Sequence, residues 1–199
     1  PAGEVSSLMK CSGTEAVNLA IKGTTWANES SGRHIVASAL EPQATLQSPD
    51  FLAARGWDCT RVKAGPLGKI DPEAIEAALT PQTVLICTHL ANPDLGTVQP
   101  AAQLGAIAVK RGIPLFVDAT AAAGWMPLQA PALGASLISF SPQQFHGPKG
   151  AGVLYRHRQT RLVSLLHGGN QEGGRRAGPE DVPAIVGTGV ACERVERDL

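Results

Sequence analysis

The residues of this chain that could do chemistry gather at the ends of apolar runs. "IPLFVDA" ends in Asp118, and "SFSPQQFHGPKG" carries Ser141, Gln143, Gln144, His146 and Lys149 on a polar turn that follows another apolar run. An amide is a poor nucleophile and a poor general base, so Gln143 and Gln144 put unreactive groups at the tip of that turn. "CSGTEAVNLAIKG" brings Ser12, Gly13 and Thr14 to the start of a helical pattern. Backbone N–H groups and the helix dipole at such a start suit a phosphate, and Thr14 reads equally well as a simple helix cap. Two more strand ends, Glu41 to Gln43 and Asn92 to Gly96, complete the set.

Alternating elements must position these groups. "RHIVASAL", "WDCTRVKA", "TVLICTHL", "IPLFVDA" and "ASLISFS" read as strands, and "AGVLYRH" follows its predecessor closely enough to lie antiparallel to it. Between them, "QATLQSPDFLAARG" has helical spacing and ends at Gly56. "DPEAIEAALT" starts a helix with Asp71 as N-cap and Pro72 at the first position, and "QPAAQLGAIAVKRG" stops at Gly112. "EDVPAIVGTGVACERVERDL" reads as a terminal helix. Strands alternating with helices predict an α/β fold: an open, mainly parallel sheet covered by helices on both faces. In such sheets ligands sit beyond the carboxyl ends of the strands, where the polar residues above fall.

Together these strand ends resemble the large domain of the NifS/IscS-type cysteine desulfurases, pyridoxal-phosphate (PLP) enzymes of the class V aminotransferase group. The resemblance runs from about Cys11 to Gly187. "SGTEAVNLAIKG", "LGTVQP", "VDA", "SFSPQQFHGPKGAGVLY" and "LLHGGNQEGGRRAGPEDVPAIVG" carry it. It implies a PLP-transferase large domain with a seven-stranded-type sheet, and removal of sulfur from cysteine as a persulfide for iron–sulfur clusters and other acceptors.

That chemistry needs a lysine in Schiff-base linkage to PLP, which then serves as electron sink. The family's lysine and the histidine before it fall at Gln144 and Gln143, so the resemblance implies that no catalytic residue is left there. The family's ring-stacking histidine is Pro42, after Glu41. Its cofactor-facing second asparagine is Pro93, its glutamine three residues beyond the strand-end aspartate is Ala121, and its phosphate-contacting threonine is Pro179. Asp118, which would keep the pyridine nitrogen protonated, survives with Ser141 and Thr14 as remnant cofactor-binding residues. Each also reads as turn capping. Lys149 is a substitute amine five residues past Gln144 in a Gly-Pro turn, and His146 reads as structural. The expectation is therefore that no cofactor binds.

The resemblance places residues 1–199 in one large-domain unit, without the family's N-terminal segment and its C-terminal small domain with the sulfur-accepting cysteine. It implies a homodimer, or a heterodimer with a desulfurase-like subunit. Three functions fit: a binding partner in sulfur metabolism without catalysis, an active PLP-dependent desulfurase or related lyase or transferase, and a relic or fragment.

Bulk composition narrows the classes. Seventeen basic residues balance seventeen acidic ones, so nothing advertises nucleic acid or a membrane surface as partner. No apolar run approaches a membrane span of about 20 residues. Cys11, Cys59, Cys87 and Cys192 are widely spaced and form no metal-ligand pair. They read as reduced, mostly buried packing residues, which implies a cytoplasmic protein and no metal site.

Overall fold

The computed structural model describes residues 6–10 and 12–199, with side chains from residue 12 onward. Seven strands form one sheet: β1 (Ser6–Lys10), β2 (His34–Ser38), β3 (Asp58–Val62), β4 (Thr83–His89), β5 (Leu115–Asp118), β6 (Leu137–Phe140) and β7 (Gly152–Arg156). Their spatial order is β1-β7-β6-β5-β4-β2-β3. The pairs β2–β3, β2–β4, β4–β5 and β5–β6 are parallel, and β7 runs antiparallel to both of its neighbours. The mainly parallel sheet with one reversed strand is the architecture the sequence predicts.

The helices are α1 (Gly13–Asn18), α2 (Thr24–Ala27), α3 (Gln43–Ala53), α4 (Pro72–Ala78), α5 (Ala101–Arg111), α6 (Ala130–Leu133), α7 (Gln171–Gly174) and α8 (Val182–Asp198). A π-helical turn, Leu19–Gly23, joins α1 to α2 in one helical run. Boundaries follow local chemistry. Asp71 caps α4 by accepting a hydrogen bond from the Glu73 N–H at 3.0 Å, and Pro72 occupies the first turn, where an N–H would be unpaired. Gly112 ends α5 in the left-handed region at φ 65°, where a side chain would be strained.

Central strands are apolar throughout because both faces are covered. Every residue of β4 and of β5 is buried. Leu85, Cys87, Phe116, Leu137 and Leu154 pack with Leu19, Ile21 and Leu52 on one face. Ile86, Leu115, Val117 and Ile138 pack with Ile75 and Leu104 on the other. Alternation along the strands then fixes where polar ends point. His89 follows Leu85 and Cys87 by twos, Asp118 follows Phe116, and Ser139 follows Leu137. All three therefore belong to the face covered by α1 and α3.

Two expectations change. Ser12, not Thr14, caps α1: its Oγ accepts from the Glu15 N–H at 3.1 Å. The cysteines are not mostly buried. Cys87 is buried, Cys59 is half-buried and Cys192 is exposed on α8, while Cys11 lies outside the described residues. Cys192 was assigned to packing by its apolar neighbours, but it falls on the outer side of a helix that meets the body along only part of its surface.

Candidate functional site

A cavity of about 370 Å³ opens at the carboxyl ends of the central strands. Its floor is made by β4 and β5, which pair in register so that His89 lies opposite Asp118 and Asp118 opposite Ser139. Asp118 is only 4% exposed. Its Oδ1 accepts from the Thr120 N–H at 2.9 Å and from the Ser139 hydroxyl at 3.4 Å. Two donors on one oxygen fix the carboxylate's direction and favour its charged form.

The wall is the start of α1. Ser12, Gly13 and Thr14 line the cavity beside Ser141, whose hydroxyl donates to the Ala151 carbonyl at 3.3 Å. Gly13 keeps this wall close: an added Cβ would lie 3.2 Å from the Cβ of Ser141. Gly152, at the start of β7, is tighter still, since a Cβ there would come within 2.2 Å of the Ser12 backbone.

The lip is the 3-10 turn Pro142–Phe145, which places the exposed Gln143 and Gln144 side by side at the cavity. The turn closes with His146 at φ 65° and the Gly147 N–H donating to the Pro142 carbonyl at 2.8 Å. Buried Phe145 anchors it from below against Phe140, ring centroids 6.0 Å apart. The positions that carry the sequence resemblance are thus brought to one place: Asp118, Ser141, Thr14, Gln143, Gln144, Pro42, Pro93 and Ala121 all line the cavity. Lys149 and His146 do not. Pro179 lies beside a separate, smaller pocket with Arg176.

One pair on the floor was not read from the sequence as functional. Glu41, in the loop after β2, accepts a hydrogen bond at Oε1 from Nδ1 of His89 at 2.9 Å. Both side chains are essentially inaccessible, 1% for His89 and 0% for Glu41. Burial pushes the Glu41 carboxyl above the usual carboxylate range, and the hydrogen bond from His89 opposes that rise. His89 Nε2 and Glu41 Oε2 have no hydrogen-bond partner among the described residues. Glu41 was visible as a strand-end residue, and the period-two spacing of His89 from Leu85 and Cys87 was the available signal for its partner.

Relatives agree with this geometry. The pattern of the class V aminotransferase family matches residues 9–197. This chain belongs to the class V aminotransferase family. The chain is 40% identical over 187 residues to the cysteine desulfurase IscS of Methanosarcina thermophila, covering 94% of the chain and 46% of that protein. It is 39% identical over 181 residues to the IscS of Dictyoglomus turgidum, covering 91% of the chain and 46% of the relative. Among solved structures, a NifS-like protein superposes with a TM-score of 0.93 at 30% identity, over 97% of this chain and 54% of the other. SspA in complex with cysteine gives 0.90 at 35% identity, over 94% and 55%. The chain spans about half the length of the curated relatives it matches.

Family membership corrects the expectation that no cofactor binds. IscS- and NifS-type desulfurases of the class V group use PLP, so the family argues for that cofactor. The reasoning from Gln144 went too far, because losing the covalent anchor removes one attachment and leaves the rest of the cavity in place. The residues present fit the group at two of its ends. Asp118 offers a carboxylate for a protonated ring nitrogen, and the Ser12–Thr14 wall, kept open by Gly13, offers hydroxyls and N–H groups for a phosphate. Among the described residues no helix is long and apolar enough to cross a membrane, and no cluster of His, Cys, Asp or Glu could hold a metal ion.

Proposed function

We propose that this chain is a cysteine desulfurase-like protein that has lost the family's covalent chemistry. It works by binding, as a structural or regulatory partner in sulfur and iron–sulfur metabolism. One observation carries the reading: the lip of the cavity presents the amide of Gln144 where the family pattern puts its lysine, and Lys149 does not line the cavity. When bound, PLP supplies an aldehyde and an electron-accepting ring. An amide nitrogen shares its lone pair with its carbonyl and forms no imine with an aldehyde.

This chain's residues then hold and orient. Asp118 pairs with the ring nitrogen, and Ser12, Thr14 and Ser141 meet the phosphate. Pro42, Pro93 and Ala121 offer apolar contact without donors, and the amides of Gln143 and Gln144 donate and accept hydrogen bonds at the lip without taking up a proton.

Association is the second half of the proposal. Val182, Val186 and Val190 recur at four-residue spacing on the exposed side of α8, and Trp125 is 78% exposed. Such apolar surface supports pairing with a second copy or with a desulfurase-like subunit. The Arg176 guanidinium bonds Glu15 at 3.0 Å, tying the glycine-rich loop down beside α1.

The deciding experiment incubates the chain with cysteine, PLP and a thiol reductant, alone and with a co-purified active desulfurase. We expect no sulfide above the PLP-only control from the chain alone, and co-sedimentation of a dimer at micromolar concentration. Turnover by the chain alone would overturn the loss of chemistry. A monomer that binds no desulfurase subunit would overturn the partner role.

A further inference from the structure

The His89–Glu41 pair is costly unless something uses it. A buried carboxylate and a buried imidazole each lose hydration, and one mutual hydrogen bond leaves a polar atom unpaired on both. The rest of the floor does not follow this pattern: Asp118 and Ser141 both have protein partners. His89 also lines the cavity, opposite Asp118 in the β4–β5 register.

With Nδ1–H donating to Glu41, the ring is held in one tautomer and one orientation, and Nε2 keeps its lone pair. That atom accepts and does not donate. The Glu41 carboxylate behind the ring increases the basicity of Nε2, as second-sphere carboxylates do for histidines elsewhere. Asp118 adds negative charge next to it.

We propose that His89, positioned by Glu41, is a ligand-binding group of this cavity, accepting on Nε2 a hydrogen bond from a cationic N–H donor such as a protonated amine or nitrogen heterocycle. The proposal rests on this cavity being the ligand site of the protein. It adds to the carboxylate at Asp118 a second anchor, one that does not depend on a covalent lysine. Glu41 is a positioning residue, since it reaches the ligand only through His89.

The test is ¹⁵N NMR of the histidine rings in protein labelled at histidine, with the signals of His89 identified among the five histidines by their loss in His89→Gln. Two probes are titrated: pyridoxamine phosphate, which bears an amine and a phosphate, and imidazolium, which bears only the ring N–H groups. We expect both to shift the Nε2 signal of His89 saturably. We expect His89→Gln to weaken each by about tenfold, the worth of one hydrogen bond to a charged group. Glu41→Gln, which keeps the side-chain shape, is expected to redistribute the His89 tautomers and to weaken both probes by a smaller factor. A shift with imidazolium but none with pyridoxamine phosphate supports His89 as the anchor while sinking the cofactor-type reading of the cavity. If pyridoxamine phosphate binds, seen at other resonances, and His89 stays unmoved, the proposal is overturned and the cofactor-type reading survives. If neither probe moves His89 in the folded wild-type protein, the proposal is overturned as well. An unchanged tautomer in Glu41→Gln would remove Glu41 from its positioning role.

Discussion

Gly152→Ala would strike the joint between the sheet and the cavity wall. The new Cβ would lie 2.2 Å from the carbonyl carbon and oxygen of Ser12 and 2.6 Å from the Gly13 nitrogen. Ordinary contact begins about 1.2 Å farther out, and every atom in the way is backbone, so no side chain can rotate aside. β7 is laddered to β1 on one side and β6 on the other, so the start of α1 must yield. Overpacking of this kind costs about 1–3 kcal/mol. For a domain of this size that is a fall of roughly 2–12 °C in Tm. The assay is urea denaturation followed by tryptophan emission, with Gly189→Ala as control. Gly189 lies inside α8, and a Cβ there meets nothing within 4 Å. The control is therefore expected to be neutral or stabilising by up to about 1 kcal/mol, through helix propensity. A Gly152→Ala protein within about 0.5 kcal/mol of wild type would refute the claim that α1 and β7 are locked together.

Other substitutions test other joints. Gly105→Ala places a Cβ 2.0 Å from the Leu133 carbonyl oxygen, at the contact of α5 with α6. It is expected to cost about 1–3 kcal/mol in the same urea assay. Glu41→Gln should alter the pH dependence of stability. Burial raises the folded carboxyl above its unfolded value, so its contribution is whole below the unfolded pKa and is lost as pH rises toward the folded one. The variant should therefore gain on wild type as pH climbs above about 4.3, the ordinary glutamate value, and parallel denaturation midpoints across pH would contradict this. Gln144→Lys alone is expected to leave cysteine desulfuration undetectable in a sulfide assay with added PLP. Gln143, Pro42, Pro93 and Ala121 remain around it, and groups that act as a unit are strongly non-additive.

Much of the fold could be read because local signals agreed with tertiary demands. The five buried parallel strands are short, apolar and bounded by turn residues, and the turn between β6 and β7 is too short for a parallel crossover. Gly112 and Asp71 marked their helix ends through requirements that few other residues meet. β1 was not read: "SSLMK" has no alternation, and its strand state comes from pairing with β7, which lies far along the chain. The cap of α1 was misplaced by two residues because Ser12 and Thr14 carry the same chemistry, and only backbone direction separates them. The cavity-lining positions were legible through spacing within long motifs. His89 was not, because it closes an apolar run, and its importance arises from a register with Asp118 and a loop contact with Glu41, neither of which is local in sequence. The cofactor expectation failed for a different reason: one missing lysine was allowed to speak for a whole cavity.

The central claim is that the cavity no longer forms a covalent bond to the family's cofactor. Borohydride reduction of the chain saturated with PLP, followed by peptide mass spectrometry, tests it most directly. We expect no phosphopyridoxyl group stoichiometrically attached to any lysine and no visible absorbance band that reduction removes. Stoichiometric labelling of Lys149, or of any other lysine, with loss of such a band would contradict the claim.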